Sequence, residues 1–297
     1  MDFRLKVFIS VAQNKSFTKA AKDLLISQPA VSKHIHELES LYNIALFERQ
    51  KGDIKLTEAG KLLFSHAEKI NDMYQRLQYE MNLLTENYSG ELRIGASTSI
   101  TQYVLPPILA HFTKKFPEIK LTIFNGNSLE IENLLHKGKI SLGMVEGNSH
   151  QPSLHYQSFM KDELVLVSNN TGIYSKIEEI DVKDLKSMPL VLRENGSGTL
   201  DIIEAALLSH NIKLSDLQIV LQLGSTESIK NFIENSDALA IISIQGLMKE
   251  LVNGQLKVIE INGLDLNRKF SFVYKQGNLG GLDESFINFT SRYLSAN

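Results

Sequence analysis

Hydrophobic positions in the first sixty residues recur at helical spacing in three short runs. Phe8, Val11 and Ala12 share a face of the first, which Asn14-Lys15 ends; Thr18 to Leu25 form a second, with Ala20, Ala21 and Leu24 suited to close packing. Val31, Ile35 and Leu38 mark the third, with Ser27 as its N-cap and Pro29 tolerated in the first turn, where its missing amide has no partner. The opposite face of that third helix carries Pro29, Lys33, His36 and Ser40, with Gln28 and Ser32 at its edges. Such a face seen alone is simply solvated, but three short helices with a tight break before the last match a helix-turn-helix. Two further apolar pieces, Leu46 to Arg49 and Ile54 to Gly60, flank the polar turn Gln50 to Asp53 and read as a small wing.

From Thr57 to Glu86 there is no proline, and Leu63, Ala67, Ile70, Tyr74, Leu77, Met81 and Leu84 keep an unbroken 4-3 spacing. That stripe serves either a face packed on its own domain or a seam between two chains. Asn87 to Gly90 breaks the helix, and apolar strands then alternate with helical stretches, the α/β signature. Strands are expected at Leu92–Ala96, Leu121–Phe124, Ile140–Glu146, Leu164–Ser168, Leu190–Arg193, Val220–Leu223, Ala240–Ser243, Val258–Ile261 and Phe270–Tyr274, enough for two sheets.

Those strands contain a repeat. Gly126 to Leu135 aligns without gaps on Gly224 to Ile233, 98 residues later, and Ile140 to Val145 falls opposite Ala238 to Ser243. Each copy is a strand end, a cap and a helix start, so two similar lobes are expected unless the likeness is a coincidence of capping sequences.

Length and composition narrow the class. With 297 residues, 43% of them hydrophobic and 22% charged, the chain should hold at least two globular domains. The net charge is −3, but residues 1–60 hold nine Lys/Arg against seven Asp/Glu, giving +2 there and −5 over the remainder. That asymmetry lends mild support to a nucleic-acid partner. The absence of cysteine excludes disulfides, thiolate metal sites and thiol redox switching. No apolar run suits a signal peptide or a membrane span, so a cytoplasmic protein is expected.

The run from Phe8 to Gly60, with SFTKAAKDLLISQPAVSKHIHELE and LFERQKGDIKLTEAG, resembles the DNA-binding domain of LysR-type transcriptional regulators. The resemblance implies a winged helix-turn-helix over 1–57, with DNA contacts from Ser16, Ser27, Gln28, Pro29, Ser32, Lys33, His36, Arg49, Lys51 and Lys55. The family usually has an arginine in the wing turn, where this chain has Gly52 and Asp53. Residues 58–87 are then a coiled linker helix whose seven-residue seam joins two chains. Two heads held in a homodimer or homotetramer would face half-sites about one helical turn apart, an imperfect palindrome in double-stranded DNA.

Residues 88–297 resemble the periplasmic-binding-protein-like effector domain of the same family, two Rossmann-like lobes (91–163 with 269–297, and 164–268) preceded by the all-α head. The chain is expected to cross near Asp162–Leu164 and return near Asn267–Ser271, with a ligand between the lobes. Four segments place small polar residues between a strand and a helix: Ser97-Thr98-Ser99, Asn127-Ser128, Ser197-Gly198-Thr199 and Ser225-Thr226. Each position is a helix cap or part of a shared site at the carboxyl ends of the strands. Converging helix starts favour an anion, and Arg193 is placed to add a full charge. The expected effector residues are Ser97, Thr98, Ser99, Asn127, Arg193, Ser197, Thr199 and Thr226; Glu146 would oppose an anion unless turned away or holding a donor. The stretches LRIGAS, FNGNS, LGMVEG, MKDELVLV and LRENGSGT resemble the branch of the family that answers to small sulfur oxyanions, implying a compact anion such as sulfite or sulfate.

A two-lobed solute-binding protein without a regulatory role is the alternative, against which residues 1–60 stand. No GxxxxGK[ST], GxSxG or HExxH pattern points to an enzyme, and His34 and His36 lie on different sides of their helix, so neither a metal nor a cofactor is expected.

Overall fold

The computed structural model describes residues 1–50, 53–84, 89–147, 151–276, 279 and 281–296, with the side chains of 49, 50, 53, 72, 75, 76, 78–80 and 82–84 left aside. Lys51, Gly52 and the helix break at Asn87-Tyr88 therefore lie outside the described residues. The chain divides into two compact units, Met1–Tyr88 and Ser89–Asn297.

The first unit contains α1 (Phe3–Asn14), α2 (Phe17–Asp23), α3 (Gln28–Tyr42), β1 (Phe47–Gln50), β2 (Asp53–Leu56) and α4 (Glu58–Leu84). Ser16 caps α2 by accepting from the Lys19 amide, and Ser27 caps α3 by accepting from the Ala30 amide, both at 3.3 Å. Between them Leu25 adopts a left-handed conformation (φ 54°), which makes the tight break. Val7, Phe8, Val11, Ala20, Ala21, Val31, Ile35, Leu38 and Leu46 form the buried core. The hairpin β1–β2 pairs antiparallel, with Phe47 opposite Leu56. Thr57 anchors the start of α4, its hydroxyl donating to the Ala45 carbonyl (2.7 Å) and accepting from the Gly60 amide (3.0 Å). A Cβ at Gly60 would overlap the Leu46 carbonyl, so only glycine lets α4 lie this close.

The apolar stripe on α4 divides between its two possible uses, which corrects the seven-residue seam. Leu63 packs against the head core and Ala67 is 0% exposed within it, so these two positions are spent inside one chain. Ile70, Leu77 and Met81 remain 45%, 54% and 56% exposed. Tyr74 is half-buried, and the side chain of Leu84 lies outside the described residues.

The second unit runs β3 (Gly90–Ser97), a π-helical turn (Ile100–Val104), α5 (Leu105–Lys115), β4 (Ile119–Gly126), α6 (Ser128–His136), β5 (Leu142–Glu146), β6 (Leu154–Asn169), β7 (Glu179–Asp181), β8 (Pro189–Arg193), α7 (Gly198–Ser209), β9 (Gln218–Leu223), α8 (Thr226–Glu234), β10 (Leu239–Ser243), α9 (Met248–Val252), β11 (Leu256–Asn262), β12 (Asn267–Lys275) and α10 (Leu282–Ala296). Strand order is β4-β3-β5-β12-β6-β10-β8-β9, with β11 on β6 and β7 on β11. The order β4-β3-β5 is repeated as β9-β8-β10, all parallel within each set, so the sequence repeat is a repeat of topology.

The two halves are fused rather than separate. β6 begins at Leu154, ten residues before the expected start, and pairs with β12 from Leu154 to Glu163; from Leu164 onward its partners are β10 and β11. Its first half escapes sequence reading because His155, Gln157, Ser158, Lys161 and Asp162 interrupt any apolar run, and its partner lies more than a hundred residues away. The short β7 is likewise absent from the expected strands. Each half has its own core, one around Ile94, Phe112, Phe270, Phe272 and Phe286, the other around Leu185, Leu190, Ile203 and Ile241.

Candidate functional site

The helix α3 buries Val31, Ile35 and Leu38 and so turns Gln28, Pro29, Lys33 and His36 outward. Gln28 Nε2 donates to the half-buried Ser32 hydroxyl at 2.9 Å, tying two edge residues into one unit. Lys33 stays exposed with Glu37 4.0 Å away, one turn on. Ser16 and Ser27 serve as caps, which holds the helix starts in place. Lys55 lies exposed on β2 opposite Glu48; Arg49 is placed by its backbone on β1 opposite Ile54, its side chain, like Lys51, outside the described residues.

In the second unit the carboxyl ends of β3, β5, β8 and β10 meet where the halves join. Arg268 and Asp162, Cα partners on the crossing strands, form a buried pair with Nε donating to Oδ2 at 2.6 Å. Ser243 at the end of β10 donates to the other Asp162 oxygen (2.8 Å), and Arg268 Nη1 donates to Thr199 Oγ1 (2.8 Å) and lies 3.7 Å from Glu146. The guanidinium also stacks 5.0 Å from the Phe270 ring. Glu146, at the end of β5, accepts a hydrogen bond from the Ser97 hydroxyl, and its carbonyl accepts from Ser128 (2.8 Å). It is thus turned into the junction and holds a donor.

Two bridges flank this junction. On one side Asn127, the cap of α6, accepts from the Glu130 amide while its Nδ2 reaches Glu194 (3.4 Å) and the Asn195 carbonyl (3.5 Å); the Leu129 amide donates to Gly196 O at 3.2 Å. On the other, Tyr103 in the π-helical turn donates to Glu227 Oε1 (2.7 Å) and lies against Gly246 and 5.5 Å from Lys230 Nζ. Lys230 in turn donates to Glu250 (2.8 Å) and Gly246 O (2.9 Å) and pairs with Glu227 (2.7 Å). Burial and the hydrogen bond to Glu227 push the Tyr103 hydroxyl far above its ordinary value. Burial pulls against the charged forms of Glu227 and Lys230, yet their hydrogen bonds outweigh it, lowering the first and raising the second.

The polar residues expected to line a ligand site are largely engaged with the protein in this structure. Ser97 belongs to Glu146; Thr98 donates to Gly126 O (3.3 Å); Ser197 caps α7; Thr199 is held by Arg268. A Cβ at Gly198 would overlap the Glu146 carbonyl, so the start of α7 abuts the end of β5. Arg193 does not offer an unopposed charge: Nε and Nη2 donate to the Glu194 carboxylate at 2.9 and 3.1 Å, and Nη2 also to Gly224 O (3.3 Å). What stays buried and without a partner around the junction and its bridges, among the described residues, is Arg193 Nη1, Arg268 Nη2, Ser99 Oγ, Gln102 Oε1 and Glu250 Oε2. Thr226, the first residue of α8, is buried beside its cap Ser225. Among the described residues no group of three or more His, Asp or Glu is placed to hold a metal ion.

Residues 3–61 match the bacterial regulatory helix-turn-helix protein, lysR family, and residues 85–294 match the LysR substrate binding domain. The chain belongs to the LysR family. It is similar to the HTH-type transcriptional regulator CysL of Bacillus subtilis (strain 168), 32% identical over 270 residues, covering 91% of this chain and 89% of that one. In fold it resembles a full-length OxyR variant from Pseudomonas aeruginosa (TM-score 0.74, 17% identity, 97% and 92% of the two chains). It likewise resembles CbnR complexed with its target DNA (TM-score 0.57, 20% identity, 98% and 99%).

The protein is therefore a LysR-type DNA-binding transcriptional regulator with an effector-binding domain, and not an enzyme; the match over its head sets aside a solute-binding role alone. No helix among the described residues is long and apolar enough to cross a membrane. Within this LysR chain the sequence reading missed Arg268, Glu194, Gln102, Tyr103 and Lys230 as site residues. Glu227 with Lys230, an acid and a base three apart on α8, and Glu194, next to Arg193, left local signals.

Proposed function

We infer that this regulator acts in the cytoplasm as a homodimer or homotetramer, reads an imperfect palindrome in double-stranded DNA through α3, and is controlled by a small anion, sulfite or sulfate in kind, held between the lobes. Arg193 carries the effector reading. It is a guanidinium 1% exposed at the carboxyl end of β8, with one donor nitrogen unsatisfied. A buried cation with a spare donor is strongly stabilised by an oxyanion, which accepts from several N–H groups at once. Thr226 at a buried helix start and the unpartnered Ser99 hydroxyl add donors of the same kind. The likeness of LRIGAS and LRENGSGT to the sulfur-oxyanion branch favours a compact anion over a large organic one. For DNA, the outward Gln28, Pro29, Lys33 and His36 support groove contact, and the exposed Ile70, Leu77 and Met81 support pairing of two linker helices.

The test is thermal unfolding of the full chain with sulfite, sulfate, thiosulfate, phosphate, nitrate and small carboxylates, beside Arg193→Ala. A ligand at a hundredfold its Kd adds about 2.7 kcal/mol. A selective upward shift lost in Arg193→Ala is the expected result. Equal melting with every anion would end the oxyanion reading and leave the DNA-binding assignment standing.

A further inference from the structure

The two guanidinium nitrogens of Arg193 that face Glu194 meet both oxygens of its carboxylate, Nε to Oε2 at 2.9 Å and Nη2 to Oε1 at 3.1 Å. This side-by-side geometry is the one by which a guanidinium grips a free carboxylate or the edge of an oxyanion. Here the partner is the next residue along the chain. Arg193 is buried, whereas the Glu194 side chain is 28% exposed and so has a path to solvent. The same Oε1 accepts from Asn127 Nδ2 at 3.4 Å across the join between the lobes.

We propose that Glu194 is an internal competitor for the effector: its carboxylate occupies the anion-binding edge of Arg193 and must be displaced by the anion that the cleft recognises. The proposal rests on the anion reading above and adds the residue that sets its selectivity. A buried guanidinium without a counter-charge is costly, so the protein supplies one of its own when the cleft holds no anion. An incoming anion then gains only the difference between its own pairing and that of Glu194. A monoanion with two oxygens, such as acetate, offers what Glu194 already gives. A tetrahedral dianion offers more charge and a further oxygen for Nη1, the donor that Glu194 leaves unpartnered. Displacement also releases the Glu194 end of the contact to Asn127, so anion binding and the bridge between lobes are coupled through one carboxylate.

The experiment is calorimetric titration of the full chain with sulfate, thiosulfate, acetate and nitrate at constant ionic strength. It uses wild type, Glu194→Gln, and Glu194→Gln combined with Arg193→Gln, each first checked for a cooperative melting transition well above the titration temperature in the absence of added anion. Glu194→Gln should bind sulfate or thiosulfate about tenfold tighter or more, equivalent to ~1.4 kcal/mol, and should discriminate less against acetate and nitrate. The double variant should lose the gain, which a merely structural effect of Glu194 does not explain. Binding that appears only in Glu194→Gln also counts in favour. If wild type binds and Glu194→Gln binds equally or more weakly, Glu194 is no competitor while the anion reading stands. If no variant takes up any of the four, the anion reading fails and this proposal falls with it.

Discussion

Arg268 and Asp162 face each other in register on the two strands that run between the lobes, their side chains joined at 2.6 Å with no solvent contact. Glu146 adds a second carboxylate 3.7 Å from the same guanidinium. Removing one member of such a pair leaves a charge buried and unmatched, which costs about 3–5 kcal/mol. Asp162→Asn is therefore expected to lower the urea midpoint of the second unit's unfolding strongly. A loss under about 1 kcal/mol would mean that Glu146 compensates alone.

Tyr103 and Glu227 make the opposite bridge, and its strength follows the charge of Glu227. Because the folded carboxyl titrates below its ordinary value, the stabilisation it brings is complete above about pH 4.5 and is lost as pH falls through the lowered value. Tyr103→Phe should cost about 0.5–1.5 kcal/mol at pH 7, and hydrogen exchange over the Ile100–Val104 turn should accelerate. The difference between wild type and Tyr103→Phe should shrink at acid pH. A difference independent of pH would assign the effect to packing against Gly246.

Gly198 is required by the contact between the start of α7 and the Glu146 carbonyl, a backbone group that cannot swing aside. Gly198→Ala should destabilise the second unit by about 1–3 kcal/mol, read by thermal unfolding. Gly224, whose Cβ position is open within 4 Å, serves as the control: Gly224→Ala should change little.

The divided stripe on α4 separates association from folding. Leu77→Lys and Met81→Lys should shift the sedimenting species toward the monomer while leaving the head folded. Ala67→Leu should do the reverse, destabilising the head by about 1–3 kcal/mol through overpacking, with the mass unchanged.

The head was legible from the sequence because its signals are local: a cap at Ser27, an apolar face at Val31, Ile35 and Leu38, and a break before them. The α/β class and its internal repeat were legible for the same reason, each copy carrying its own strand end and cap. Where partners are distant in sequence, the reading failed. Nothing near Asp162 announces Arg268, and nothing in a polar first half of β6 announces a strand. The polar clusters were found at the right ends of the strands, but a hydroxyl does not declare what it bonds, so Ser97 and Thr199 looked free when Glu146 and Arg268 hold them. A heptad stripe likewise states that one face is apolar without stating what covers it, as Ala67 and Leu77 illustrate.

β6 passes from β12 to β10 and β11 at Glu163/Leu164, beside a register shift in β12 at Phe270/Ser271. Two adjacent, hydrogen-bonded strands behave as a strap hinge: their shared register resists sliding of one along the other while the strap can still bend and twist. The covalent continuity between the lobes of the effector domain runs through these two strands, so any change in the angle between the lobes is taken up there.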